Sequence, residues 1–185
     1  MVSELTLNKS DELRIIKTAR HDPKAFGELY LLYVNQVFRY LYSRTGNVHE
    51  AEDLTAQTFL TAFESFDKFR QEEHFVSWLF AIARNKTMDY FRQQKNTSPI
   101  EAVSGICADG NDPLIDAIQS EQTAALSKLI QTLPEEEREL LRLRFLADMS
   151  FPEIAHLLHR NEGAVKKSIY RLLARLRSQL EVSNE

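Results

Sequence analysis

The segment 150–177 constrains the fold of this 185-residue chain more than any other part. Ser150 and Glu153 have the spacing of a capping box, in which each side chain bonds the other residue's backbone N–H at a helix start. The helix that follows must be short, because His159 and Arg160 lead into a tight turn and Asn161 is suited to cap a second helix. This order predicts a helix-turn-helix.

The second helix of this motif has two chemically distinct faces. One face is apolar, with a period of about 3.6 residues, and it comprises Val165, Ile169, Leu172, Leu173 and Leu176. The opposite face carries Gly163, Lys167, Tyr170 and Arg171, with Lys166 beside it. In a helix-turn-helix the second helix enters the major groove, where its first residues meet base edges and its cations reach phosphates. The segment therefore favours duplex DNA binding over a solvated helical hairpin.

The rest of the chain also reads as helix. Apolar residues at helical spacing predict helices over 23–44, 49–66 and 76–94, with Leu54, Phe59, Leu60 and Phe63 facing inward on the second. A polar connector over 67–74 carries one aromatic residue, Phe69. The only cysteine, Cys107, excludes a disulfide framework within one chain.

Residues 96–120 differ in character from the segments on either side. They contain Pro99, Gly105, Gly110 and Pro113 and no basic residue, which is typical of a flexible acidic linker. We therefore expect an all-α fold of two helical domains, at 11–95 and 124–180, joined by a linker at 96–123.

The charge is small in total but unevenly distributed. The net charge of -4 argues against a uniformly basic, histone-like protein. Residues 76–95 nevertheless hold four basic residues and one acidic residue, and residues 161–180 hold five and one. A polyanion such as DNA would thus meet two local positive surfaces.

Several motifs, in this order and spacing, resemble one protein family. They are the segments 46–55, 69–70 with 75–85, 133–134 and 150–155. Together they resemble a bacterial sigma factor and, more narrowly, the extracytoplasmic-function (ECF) group of the sigma-70 family, over about residues 11–180. The resemblance implies a transcription initiation factor that binds core RNA polymerase, reads the -10 and -35 promoter elements and helps to melt the DNA.

The resemblance also implies a role for particular residues. Core polymerase would be bound by Glu52, Asp53, Leu54, Gln57 and Leu60. The -10 element would be bound by Ser65, Phe69, Arg70, Ile82, Arg84, Asn85, Lys86 and Arg92. The -35 element would be bound by Asn161, Glu162, Gly163, Lys166, Lys167, Tyr170, Arg171 and Arg175.

The expected partners follow from the same resemblance. They are the clamp of the largest polymerase subunit, the flap of the second-largest subunit, promoter DNA and an anti-sigma protein, which members of this family often have. No apolar run approaches the ~18 residues of a membrane span, and residues 1–5 lack the layout of a secretory signal. We therefore expect a cytoplasmic protein that does not insert into membranes and needs no cofactor.

The chain departs from the family pattern at three positions. The docking helix of the family usually continues with glutamine and glutamate, where this chain has Ala56 and Gln57. The serine common after the first lysine of the recognition helix is Lys167 here. The first two changes are expected to alter core binding, and the third to alter the preferred -35 bases.

Other classes of function compete with this interpretation. The stronger rival is a helix-turn-helix transcriptional regulator that binds operator DNA without being a polymerase subunit, and another is an antagonist of transcription. An enzyme is disfavoured, because no P-loop, GxSxG or catalytic-cysteine context is present. His156 and His159 lack an evident third ligand, so no metal site is expected.

Overall fold

The computed structural model describes residues 9–97 and 121–183, and every regular element within them is helical. This confirms the all-α prediction. The helices are α1 (Lys9–Ala19), α2 (Pro23–Thr45), α3 (Val48–Ser65), α4 (Phe75–Thr97), α5 (Glu121–Thr132), α6 (Glu135–Leu141), α7 (Phe151–Leu157) and α8 (Glu162–Ser183). Short 3-10 turns at Phe66–Lys68 and Glu72–His74 connect α3 to α4, and a π-helical turn at Arg142–Leu146 follows α6.

The helix bounds lie within a few residues of those that the periodicity predicted. The sequence patterns did not identify α1 or the start of α5. Of the predicted linker, residues 96–97 continue α4 and residues 121–123 begin α5. Its remainder, 98–120, lies outside the described residues.

Local chemistry fixes the turn between α2 and α3. Gly46 has a φ of 66°, a left-handed conformation that costs glycine little, and its N–H donates to the Tyr42 carbonyl at 2.8 Å. The Asn47 side chain then accepts a hydrogen bond from the Glu50 N–H at 3.2 Å and caps α3. The predicted break at this glycine-asparagine pair is thereby confirmed.

The helix-turn-helix is formed by α7 and α8. The Ser150 N–H donates to the Glu153 carboxylate at 2.7 Å, and the Glu153 N–H donates to Ser150 Oγ at 3.4 Å, which completes the capping box. In the turn, His159 has a φ of 52°, the left-handed region that glycine adopts more easily. Asn161 Oδ1 accepts from the Gly163 N–H at 2.9 Å and caps α8.

The helices before and after 98–120 are packed against each other. The turn Arg142–Leu146 lies on α2, and α7 lies on α4. One continuous cluster of buried residues runs from Leu29 and Val37 through Leu79 to Leu143 and Ile154. The Ser77 hydroxyl also donates to the Glu153 carbonyl at 2.9 Å, from α4 to α7. The surfaces of the two halves therefore have to be considered together.

Candidate polymerase and nucleic-acid interfaces

The residues predicted to contact the -35 element all belong to α8 or to its cap, and all are exposed. They are Asn161, Glu162, Gly163, Lys166, Lys167, Tyr170, Arg171 and Arg175. The helix keeps its apolar face in the core through Val165, Ile169 and Leu172. A groove of DNA could therefore reach the basic face without disturbing the packing of the helix.

Three contacts from the preceding helices hold residues of this face in place. The ring of Phe151 on α7 lies 5.9 Å from the ring of Tyr170, and Lys166 Nζ lies 6.0 Å from the Phe151 ring centroid. At that distance the ring face attracts the ammonium group. Arg175 forms an ion pair with Glu137 of α6.

Glycine at position 163 leaves room for the cap. A Cβ atom there would lie 3.1 Å from Asn161 Oδ1, which accepts the Gly163 N–H. That separation is tighter than ordinary contact, so a larger residue would have to displace the capping side chain.

The residues predicted to bind core polymerase divide into an exposed group and one buried member. Glu52, Asp53 and Gln57 are exposed on α3, and Leu60 is 58% exposed. Leu54 is only 4% exposed and lies in the core. The Leu54 side chain thus packs inside the helical bundle, and its contact with core polymerase stays a prediction.

An apolar surface on α3 accompanies the acidic residues. Leu60 and Phe63 are 58% and 48% exposed, which corrects the expectation that both face inward. Beside them a groove between α2 and α3 is lined by Tyr30, Val34, Asn35, Phe38, Glu52, Thr55 and Ala56. Ala56, one of the departures from the family pattern, is therefore an exposed part of this groove rather than a core residue.

The residues predicted to contact the -10 element lie on α4 and just before it. Asn85, Arg70 and Arg92 are exposed, whereas Ser65, Ile82, Arg84 and Lys86 are partly buried. The Ser65 hydroxyl donates to the Thr61 carbonyl within α3. Arg92 is paired with Asp89 at 2.9 Å.

Phe69 does not line an open pocket. It is 7% exposed and stacks on Trp78, with ring centroids 4.5 Å apart. Phe66 and Phe75 complete the aromatic cluster, with ring centroids 6.2 and 6.0 Å from Phe69. This lone aromatic of the connector folds back into the core, and the expectation that Phe69 lines a base pocket stays a prediction.

A charged cluster that the sequence did not predict joins the two halves at Glu139. Its carboxylate accepts a hydrogen bond from the Tyr40 hydroxyl at 2.8 Å and one from Arg44 Nη1 at 2.7 Å. Arg84 Nε lies 3.7 Å from the same carboxylate, and Arg142 lies at 3.8 Å. Burial first, and then the carboxylate, raise the pKa of the Tyr40 phenol, which remains a hydrogen-bond donor.

Two further pairs of titratable groups are in close contact. The imidazole rings of His74 and His156 stack with centroids 3.8 Å apart, and His156 has a pKa lowered by burial and by His74 and His159. The Tyr33 hydroxyl donates to Glu12, whose pKa burial nevertheless raises. His74 and His156 belong to the segments on either side of residues 98–120, so this stack also joins the two halves.

Two other kinds of feature, a metal site and a membrane span, are absent from the described ranges. Within 9–97 and 121–183, no three histidine, cysteine or acidic residues are placed to hold a metal ion. None of the helices described there is both long and apolar enough to cross a membrane.

Comparison with known proteins assigns the chain to a family. Residues 29–97 match sigma-70 region 2, and residues 123–176 match sigma-70 region 4. The chain is 35% identical to the ECF RNA polymerase sigma factor BldN of Streptomyces coelicolor, over 90% of this chain and 66% of that protein. It is 31% identical to the ECF RNA polymerase sigma factor SigW of Bacillus subtilis, over 90% of this chain and 95% of that protein.

A solved structure supports the fold. The sigma factor RpoE from Bartonella quintana, in complex with the anti-sigma factor NepR, has a TM-score of 0.58 and 24% identity, covering 86% of this chain and 98% of that one. The comparisons do not favour an operator-binding regulator that acts without polymerase.

Proposed function

The chain belongs to the ECF group of the sigma-70 family and is a transcription initiation factor; on that premise we propose how its surfaces divide the work. We assign residues 11–95 to core binding and to the -10 element, residues 96–123 to a linker, and residues 124–180 to the -35 element. The supporting observation is that a basic, fully exposed helix face and an exposed acidic helix face occupy separate parts of one chain.

The basic face of α8 would bind the -35 element. Its first turn, with Asn161, Glu162 and Gly163, would approach base edges. Lys166, Lys167, Tyr170, Arg171 and Arg175 would contact phosphates and neighbouring bases. Lys167 replaces the common serine of the family, so a positive charge would occupy the position of a small hydroxyl group.

The exposed face of α3 would dock on the clamp of the largest polymerase subunit. Glu52, Asp53 and Gln57 would face a basic surface, and Leu60 would supply apolar contact. Apolar contact is needed because exposed ion pairs contribute only about 0.2–1 kcal/mol each. Residues 124–180 would contact the flap of the second-largest subunit.

Side chains of α4 and of the segment just before it would bind the melted -10 strand. Asn85 has both donors and acceptors for a base edge, and Arg70, Arg84, Lys86 and Arg92 would hold phosphates. Ser65 and Ile82 would border the base. No covalent chemistry is required, since an extruded base is held by stacking and edge hydrogen bonds.

Three further assignments complete the proposal. Sigma factors generally regulate transcription without catalysing a reaction, and we extend this to the present chain, which we propose is not an enzyme. The polymerase partner implies that the protein acts in the cytoplasm. An anti-sigma protein is a further proposed partner, because the Bartonella quintana relative forms such a complex.

The proposal is tested by transcription in vitro with purified core polymerase, with and without this protein, on a pool of candidate promoters. We expect transcripts that depend on the factor and whose promoters share -35 and -10 sequences. The absence of such transcripts from folded protein, together with failure to retain core polymerase in a pull-down, would overturn it. Retention without transcripts would overturn the promoter-binding half alone.

A further inference from the structure

A residue that follows α1 holds the polar connector that leads into α4. Arg20 Nη2 donates a hydrogen bond to the Phe69 carbonyl at 2.7 Å, across 49 positions of sequence. The same nitrogen lies 3.3 Å from Glu72 Oε1, in the 3-10 turn that precedes α4. Residues 69–71 have no regular structure of their own. The contact with Arg20 therefore fixes this stretch from outside the two helices that it connects.

The turn that carries Arg20 is itself well anchored. Ile16 of α1 is fully buried in the core. The Asp22 N–H donates to the Thr18 carbonyl at 3.0 Å, and the Asp22 side chain accepts from the Lys24 N–H at 2.9 Å to cap α2. Arg20 thus lies between two fixed helix ends, and its side chain is only 23% exposed.

Phe69 is held at both its side chain and its backbone. Its ring stacks on Trp78 of α4, and its carbonyl accepts from Arg20. The peptide unit is planar, so the orientation of this carbonyl also sets the position of the Arg70 N and Cα atoms. Arg70 is exposed and is one of the residues that we propose hold phosphates of the melted -10 strand. The hydrogen bond from Arg20 therefore determines where a strand-binding side chain leaves the backbone.

On the basis of that proposed function, we propose that Arg20 is a positioning residue of the -10 site. It holds the connector in the conformation in which Arg70 meets the strand, and it does not touch the strand itself. The affinity of a site is reduced by the fraction of molecules in which the site is already in its binding conformation. Arg20 raises that fraction. The turn after α1 thereby gains a role in promoter opening that no motif assigned to it.

The first experiment follows the connector in the full-length chain without polymerase. Trp78 is the only tryptophan of the sequence, so its fluorescence reports whether Phe69 stays stacked on it. Arg20→Gln should shift the emission to longer wavelength and make quenching by acrylamide more efficient. Lys17→Gln is the matched control, because Lys17 also lies near Glu72, at 3.9 Å, but its side chain is 67% exposed. It should leave the emission unchanged. Circular dichroism checks that each variant is folded.

The second experiment measures binding of the strand by the reconstituted holoenzyme. The probe is a fluorescein-labelled single strand with the -10 sequence of a promoter found in the transcription assay, and anisotropy follows its binding. Loss of one hydrogen bond from a charged donor changes an equilibrium by about tenfold or more. We therefore expect Arg20→Gln to weaken strand binding about tenfold. Arg20→Lys, which keeps a charged donor, should weaken it less, and Lys17→Gln should bind as the wild type does.

The salt dependence separates positioning from direct contact. In Arg20→Gln the slope of log K against log salt should stay at the wild-type value, because the bound strand keeps all of its phosphate contacts. A slope lower by about 0.7, the value for one phosphate of a single strand, would mean that Arg20 itself binds the strand and would overturn the inference.

Two further results would overturn it. Unchanged strand affinity in folded Arg20→Gln would mean that the connector does not need this contact. Weaker binding with unchanged Trp78 emission would mean that Arg20 does not act through the connector. If Arg20→Gln does not fold, the same measurements on Arg20→Lys decide. Each of these results leaves the sigma-factor proposal standing, whereas a wild-type protein that yields no factor-dependent transcripts would overturn that proposal and this inference with it.

Discussion

The Tyr40 hydroxyl donates a hydrogen bond to Glu139 Oε1 over 2.8 Å, joining α2 to α6 across 99 positions of sequence. A hydrogen bond to a charged group contributes about 1.5–3 kcal/mol. We expect Tyr40→Phe, which keeps the ring against Phe80, to lower the free energy of unfolding by that amount. Denaturant unfolding measures it. Tyr170→Phe is the control, because that ring is 55% exposed and should change stability by less than about 0.5 kcal/mol. Equal losses in both variants would contradict this expectation.

Leu54 and Leu60 should respond in opposite ways to truncation. Leu54→Ala should cost about 2–5 kcal/mol of stability by opening a cavity in the core. Leu60→Ala should leave stability within about 0.5 kcal/mol. It should weaken binding to core polymerase by about 1 kcal/mol or more, because an exposed apolar anchor is lost. Thermal unfolding and a core-binding titration separate the two effects. Unchanged core affinity in Leu60→Ala would remove this residue from the proposed docking surface.

The basic face of α8 should contribute a salt-dependent part of promoter binding. Replacing Lys166, Lys167 and Arg171 with alanine should weaken binding of the reconstituted holoenzyme to duplex promoter DNA. The slope of log K against log salt should fall by about 0.9 for each phosphate contact removed. Lys128→Ala, an exposed cation of α5, is the matched control. An unaltered slope in the triple variant would contradict the -35 assignment.

The helix-turn-helix turn contains backbone strain that a glycine would relieve. His159 has a φ of 52°, which costs a residue with a Cβ about 1–2 kcal/mol. His159→Gly should therefore raise the free energy of unfolding, by up to about 1 kcal/mol after the extra chain entropy of glycine. Asp148 also has a φ of 52°, but it forms an ion pair with Arg39 at 3.1 Å. Because Asp148→Gly loses that ion pair, its free energy of unfolding should rise by less. A loss of stability in His159→Gly would show that the imidazole makes a compensating contact.

The sequence predicted best what depends on residues close together in the chain. The capping box at Ser150 and Glu153, the break at Gly46 and the cap at Asn161 are all predictable from the sequence, because each involves partners within four residues. The all-α class followed from the same local periodicity. These features do not depend on how the helices pack.

The failures occurred where packing between distant segments decides the outcome. The apolar set 54, 59, 60 and 63 spans too much of the circumference of α3 for periodicity alone to choose the buried side. The structure buries Leu54 and Phe59 and leaves Leu60 exposed. Phe69 is in a polar connector, yet Trp78 provides a surface on which it stacks. Glu139 is one of several acids in its helix, and its burial against Tyr40 and Arg44 distinguishes it.

The stacked pair His74 and His156 predicts a pH dependence of the contact between the two halves. The folded protein resists protonation of His156, because burial and then the neighbouring histidines lower its pKa. A histidine whose pKa is lower in the folded protein than in the unfolded chain stabilises the fold fully above the unfolded pKa of about 6.5. That stabilisation is lost as the pH falls through the pKa of the folded protein. Protonation of His156 would also place its positive charge against the stacked His74 ring, with ring centroids 3.8 Å apart.

We therefore expect the fluorescence transfer between dyes on α2 and α8 to fall on acidification below about pH 6.5. In His156→Asn the same change should be smaller, because the stacked pair is gone. His49→Asn serves as the control, since the His49 side chain is 93% exposed and lies on α3 away from this pair. If the fluorescence transfer falls over the same pH range in the wild type and in His156→Asn, the pH response must come from groups other than this histidine pair.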